Sequence, residues 1–178
     1  MAGPGANVTR ICAAISHPRL GAITVGPIAA ERAYALRQQV LRPHERVEEM
    51  ASIDTGDPQE LVLGARTARG EIVGTGVVAP GAAPAILGAS AASRAAWRIR
   101  GMATRADARG VGIASAILVA LVAHVTARGG RLVWCNARVA AQRFYERAGF
   151  VTAGDVWMEP DIGPHVVMWR RVESPAPP

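Results

Sequence analysis

Residues 96–136 read as strand, glycine-rich turn, long helix and strand in direct succession. The turn is Arg109-Gly110-Val111-Gly112-Ile113-Ala114. It opens an apolar helix expected over 112–128, which Gly129-Gly130 stops. Strands are expected at 96–103 before it and at 131–136 after it. Two glycines let the backbone approach a ligand with no side chain in the way. Free N–H groups at a helix start point outward, and the helix dipole adds about half a positive charge there. Such a turn suits a phosphate or pyrophosphate, with Arg109 at its rim. An ordinary tight connection from strand to helix has the same sequence pattern. The turn lacks the Gly-Lys-Ser/Thr ending of a nucleotide P-loop, and no GxGxxG dinucleotide fingerprint occurs.

The alternation continues on both sides. A strand is expected at 22–26, a helix at 28–41 ended by Pro43, and a second helix at 45–51. Strands at 60–65 and 72–79 meet at a turn on Arg69-Gly70. Residues 80–93, rich in Ala, Gly and Pro, read as a loop or in part as a short helix. A helix at 139–148 closes on Gly149, and strands at 151–158 and 165–172 finish the core. The order is mixed α/β, with no internal repeat. Residues 1–19 read as a tail and 174–178 as a Pro-rich second tail, which leaves one domain over 20–173.

A chain of 178 residues suits one domain and buries a core without disulfides or a metal. Cys12 and Cys135 are too few for a disulfide scaffold or a Cys-based zinc site. No His, Asp and Glu cluster has metal spacing, so no metal is expected. No apolar run approaches the ~20 residues that cross a bilayer, so no membrane partner is expected. Arg10 and His17 bracket too short an apolar stretch for a signal peptide, and a cytoplasmic location is expected. The net charge is +6, and every one of the 20 basic residues is Arg. That balance fits nucleic acid or a small polyanion. The arginines are scattered and aromatics are scarce, which argues against nucleic acid.

The turn Arg-Gly-Val-Gly-Ile-Ala at 109–114 fits the Arg/Gln-x-x-Gly-x-Gly/Ala pattern of the GCN5-related N-acetyltransferase (GNAT) superfamily. The downstream Phe144-Tyr145-Glu146-Arg147-Ala148-Gly149-Phe150 resembles that superfamily's other recognisable motif. Five stretches resemble the glyphosate N-acetyltransferase-like branch. They are Val40-Leu41-Arg42-Pro43, Ile99-Arg100-Gly101-Met102-Ala103-Thr104, Trp134-Cys135-Asn136-Ala137-Arg138, Arg143-Phe144-Tyr145 and Ile162-Gly163-Pro164-His165. Residues 80–93 and the N-terminal tail lie outside the resemblance. It implies an α/β (α+β) fold, a mostly antiparallel twisted sheet flanked by helices. Its central strands, 96–103 and 131–136, run parallel and splay to admit acetyl-CoA. The cosubstrate would touch Met102, Ala103, Thr104, Arg109, Gly110, Val111, Gly112, Ile113, Ala114, Ser115, Asn136 and Phe144.

Several side chains could carry chemistry. Ala141, Phe144, Tyr145 and Ala148 share one helix face, so Tyr145 is a core aromatic or a general acid able to protonate a leaving thiolate. The resemblance places it at the superfamily's acid position. His165 follows Gly163-Pro164 at a strand start; it is structural, or it accepts the proton that an ammonium sheds. The resemblance makes it the branch's base and a contact of the acceptor's anionic group. Strand alternation puts Trp97, Ile99 and Gly101 on one face and Arg98, Arg100 and Met102 on the other. Arg138 is expected to begin a helix, where the dipole disfavours a cation, which marks it as a functional candidate. Arg42 ends a helix, where a cation is welcome. Guanidinium forks suit carboxylate or phosphonate, and the resemblance assigns Arg42, Arg100 and Arg138 to hold a small anionic amine. Asn136 is a helix cap or a pantetheine contact. Cys135 and Asn136 point to opposite faces, so a covalent acetyl-cysteine route lacks a base beside its thiol.

The expectation is transfer of acetyl from acetyl-CoA to the primary or secondary amine of a small anionic acceptor, by a monomer or homodimer. An acetyltransferase for protein N-termini or an antibiotic-like amine is the alternative within the class. A non-catalytic acyl-CoA-binding regulatory domain is the alternative outside it.

Overall fold

A computed structural model describes residues 13–88 and 95–172. The strands are β1 (Ala13–His17), β2 (Gly21–Pro27), β3 (Leu61–Thr67), β4 (Ile72–Pro80), β5 (Ala96–Thr104), β6 (Leu132–Arg138), β7 (Val151–Glu159) and β8 (Gly163–Arg171). The α-helices are α1 (Tyr34–Leu41), α2 (Ile113–Ala127) and α3 (Gln142–Arg147). All eight strands join one sheet in the order β1-β2-β3-β4-β5-β6-β8-β7. Among the described residues only β5 and β6 pair in parallel, and α2 is the crossover that such a pair requires.

The sheet is covered on both faces. Ile113, Ile117, Leu118, Leu121 and Val125 recur along α2 at helical spacing and bury against Ile23, Leu63, Val73 and Ile99. On the opposite face, Met50 and Ile53 pack with Val62 and Val77, and Tyr34 and Leu41 of the α1 helix lie against that cluster.

Two irregularities shape the centre of the sheet. On β5, Val77 faces Arg100 and Thr75 faces Ala103, so Gly101 and Met102 together oppose the single residue Gly76. This is a bulge, and Gly101 meets its backbone demand with φ +60°. The extra residue switches the alternation that the sequence implied. Met102 joins the α2 side beside Ile117, whereas a Cβ on Gly101 would point at Arg37 and Ile53 beneath the other face. Arg98 and Arg100 precede the bulge and keep their shared face. The second irregularity is the β5–β6 register. It holds for Ala96 with Leu132, Trp97 with Val133 and Arg98 with Trp134. Beyond that point β6 pairs only with β8, through Arg138 opposite His165. The parallel strands therefore open into a cleft.

Some element starts differ from the expectation. The stretch at 28–41 begins as a 3-10 turn, Ala30–Ala33, before α1. The stretch at 139–148 likewise begins as a 3-10 turn, Val139–Ala141, before α3. Neither has a side-chain cap, so the first turn tightens to i→i+3 bonds. Arg138 consequently ends β6 in extended conformation and does not begin an α-helix. The segment expected as a helix at 45–51 is a 3-10 helix, Val47–Ile53. Within the expected tail 1–19, Ala13–His17 is an edge strand paired to β2, and the remainder through residue 12 lies outside the described residues. Residues 89–93 of the expected loop and the tail 174–178 also lie outside them.

Candidate active site

A cavity of about 260 Å³ sits where β5 and β6 part, lined by residues from both faces of the sheet. Its walls bring together Arg42, Arg100, Arg138, Asn136, Tyr145 and His165, six candidates spread over more than a hundred residues of sequence. Met102 also reaches it. Ala103, Thr104, Phe144 and the turn from Arg109 to Ser115 do not line it.

Tyr145 is 5% exposed and packs edge-on against Phe144 and Phe150, with ring centroids 5.0 and 5.4 Å away. Burial and the neighbouring Cys135 thiol hold its phenol well above the usual range, so it stays protonated. Cys135 is itself 2% exposed, and burial pushes its thiol up to about 12, which removes it as a nucleophile near neutral pH. Asn136 points the other way and is exposed, as alternation requires. It caps no helix; the residue before the 3-10 turn is Arg138.

The ring of His165 is 8% exposed and lies beside Trp157, with centroids 5.8 Å apart. Its Nδ1 is 2.8 Å from the Gly163 carbonyl oxygen. A carbonyl only accepts, so Nδ1 carries the proton and the neutral ring offers a bare Nε2. The Gly163 carbonyl, at the start of β8, thus selects the tautomer whose Nε2 is bare.

The arginines differ in what holds them. Arg138 donates to the Leu41 carbonyl at the C-terminal end of α1, an electrostatically favoured place for a cation. Burial first, and Arg42 second, depress its guanidinium pKa. Arg42 follows α1 and pairs with Glu45 at 2.9 Å while lining the cavity. Arg98 also lines the cavity, a placement the sequence reading did not single out. The shared face with Arg100 was its available signal. Glu159 is the one carboxylate among the cavity-lining residues described.

The glycine-rich turn stands at the start of α2, with Gly110 at φ +87° and Gly112 at φ +90°. The first helical hydrogen bond runs from the Ala116 N–H to the Gly112 carbonyl. Among the described residues, the backbone N–H groups of Gly110 through Ser115 make no hydrogen bond, and nothing lies within 4 Å of where a Cβ on Gly110 or Gly112 would be. The Arg109 Nε donates to the Thr104 carbonyl at 3.1 Å and ties the turn to the end of β5. A row of open donors beside a bare backbone fits a pyrophosphate. Among the described residues, no group of three His, Cys, Asp or Glu side chains could hold a metal, and no helix is long and apolar enough to cross a membrane.

A sheet opened at one parallel pair, with a phosphate-suited turn leading into α2 and a cavity below the opening, has the layout of an acyl-group transferase. The profile of the acetyltransferase (GNAT) family matches residues 29–150, and the chain belongs to that family. It is 28% identical over 152 residues to the uncharacterized N-acetyltransferase YitI of Bacillus subtilis, covering 85% of this chain and 98% of that protein. Ard1 from Thermoplasma volcanium shares the fold with a TM-score of 0.68 at 21% identity, over 85% of this chain and 99% of that one. The phosphinothricin acetyltransferase of Sinorhizobium meliloti, solved in complex with AcCoA, gives a TM-score of 0.64 at 17% identity, over 84% of this chain and 88% of that one.

Proposed function

We propose that the protein transfers acetyl from acetyl-CoA to the primary or secondary amine of a small anionic acceptor, by direct attack in a ternary complex, and that it sits beside the glyphosate N-acetyltransferase-like branch of its family. The observation that carries this reading is the convergence of Tyr145, His165 and the arginines on one cavity at the β5–β6 opening. The AcCoA complex of the similarly folded phosphinothricin enzyme supports the choice of donor.

The open N–H groups from Gly110 to Ser115 receive the pyrophosphate, with Arg109 at the rim. Arg42, Arg100 and Arg138 hold the acceptor's acid group. The bare Nε2 of His165 takes a proton from the ammonium, directly or through a water. The freed amine attacks the thioester carbonyl, the C–N bond forms, and the C–S bond breaks. Tyr145 gives its phenolic proton to the departing CoA thiolate, the second proton that the nitrogen sheds as the amide forms restores the phenol, and the proton on His165 passes to solvent. The apolar surroundings that raise the phenol's pKa act in the same direction on a thiolate held there.

The test is CoA thiol release from acetyl-CoA against amino acids, aminophosphonates, aminoglycosides and short peptides. Turnover confined to small anionic amines is expected. Turnover only with peptides or cationic amines would sink the arginine clamp. Acetyl-CoA binding with no thiol release for any amine would favour a regulatory domain.

A further inference from the structure

Arg98 differs from Arg42 and Arg138 in that no carboxylate or carbonyl among the described residues pairs with its guanidinium. Its guanidinium lies over the Trp134 ring, 4.6 Å from the centroid. The indole is itself pinned, donating from Nε1 to the Gly81 carbonyl at 3.1 Å. The Arg98 Nε is buried and meets no acceptor among the described residues. Arg42 has Glu45, and Arg138 has the Leu41 carbonyl. A guanidinium with one donor buried and unanswered gains from an anion that its remaining N–H groups can reach. The side chain lines the cavity, at the last residue pair before β5 and β6 separate. It shares a face with Arg100 two residues on, which sets their Cα atoms roughly 7 Å apart along the strand. That spacing suits two acid groups joined by a short chain. Among the described residues the cavity holds four arginines against the single carboxylate Glu159, an excess that one monoanion leaves largely uncompensated. Desolvation and the neighbouring Arg100 both work against the Arg98 charge, so a second anion there relieves strain that the first does not reach.

We propose that Arg98 is a specificity-determining residue, a second anion subsite that selects an amine carrying two carboxylate groups. This rests on the reading of the cavity as the acceptor site for acetyl transfer. Arg100 with Arg42 and Arg138 takes one carboxylate, and Arg98, held over the Trp134 ring, takes the other.

Steady-state thiol release with acetyl-CoA would compare aspartate and glutamate with alanine and 2-aminobutyrate. The ratio of kcat/KM for dicarboxylic over monocarboxylic amines is the readout. Wild-type protein is expected to favour the dicarboxylic amines. Arg98→Gln should lower the ratio roughly tenfold to a hundredfold, the weight of a charge-assisted hydrogen bond, and Arg98→Lys should restore part of it. A ratio unchanged within about twofold would overturn the subsite, as would a wild-type preference for monocarboxylic amines. Calorimetric titration with glutarate and butyrate, which cannot be acetylated on nitrogen, separates this proposal from the one beneath it. If no amine is turned over, yet glutarate binds more tightly than butyrate and loses that advantage in Arg98→Gln, acetyl transfer falls and the subsite stands. If monocarboxylic amines are acetylated and glutarate binds both proteins alike, the subsite falls and acetyl transfer stands.

Discussion

The proposed mechanism gives Tyr145 and His165 opposite jobs, and their surroundings are opposite too. The phenol is enclosed by Phe144, Phe150 and Cys135, which keeps its proton on. The imidazole has one nitrogen tied to the Gly163 carbonyl, which leaves the other free to accept. Tyr145→Phe removes only the hydroxyl, so kcat should fall by roughly 10²- to 10⁴-fold while calorimetric acetyl-CoA affinity stays near wild type. An unchanged kcat would end the acid role. For His165, the alanine variant loses the bare Nε2, so His165→Ala should lower kcat/KM by roughly 10²- to 10⁴-fold while acetyl-CoA affinity stays near wild type. A variant that keeps the wild-type kcat/KM has another base. Both residues were legible in the sequence, one from its helix face and motif, the other from its Gly-Pro setting. Arg98 was not, because its shared face with Arg100 was visible but the buried, unanswered Nε exists only once Trp134 stands beneath it.

The elements carry their own electrostatics. Near the end of α2, His124 points its Nε2 at the Gln59 carbonyl, 2.9 Å away, and its Nδ1 lies 3.0 Å from the Arg128 guanidinium. The first contact needs the proton on Nε2, and the second needs a bare Nδ1. A second proton would sit facing Arg128. Burial and that cation depress the pKa below the ordinary 6.5. The unfolded chain then binds more protons in this window, so stability is full above about 6.5 and falls as pH drops from there toward the folded pKa. Thermal unfolding between pH 7.5 and 5 should show His124→Gln losing less Tm than wild type; parallel losses would clear His124. The sequence marked α2 well, by its apolar run and the Gly129-Gly130 stop. It marked β1 poorly, because the turn into β2 is made by an unusual device. The His17 Nδ1 accepts from the N–H groups of both Arg19 and Leu20, at 3.1 Å each.

For the whole molecule, a ligand spanning the turn and the cleft should stabilise the native state by mass action. CoA is expected to raise Tm in the wild type. Gly112→Ala strains a residue at φ +90° and places a methyl beside the open donors, so the CoA-induced rise should shrink relative to that variant's own baseline. An undiminished rise would move the pyrophosphate elsewhere. The mixed α/β order, the long helix and the turn were set by the sequence, because glycine, proline and hydrophobic period act through local sterics and burial that adjacent residues decide. The family motifs were local in the same way. Tertiary structure alone decided three things. The bulge at Gly101 turned Met102 toward α2, because Gly76 on the neighbouring strand had to face two residues. The parallel pairing stopped at Arg98 and Trp134, because β6 continued with β8 and left β5. Finally, arginines from positions 42, 98, 100 and 138 met around one cavity. Each depends on contacts between residues far apart in the chain, and no local period or turn rule contains that information.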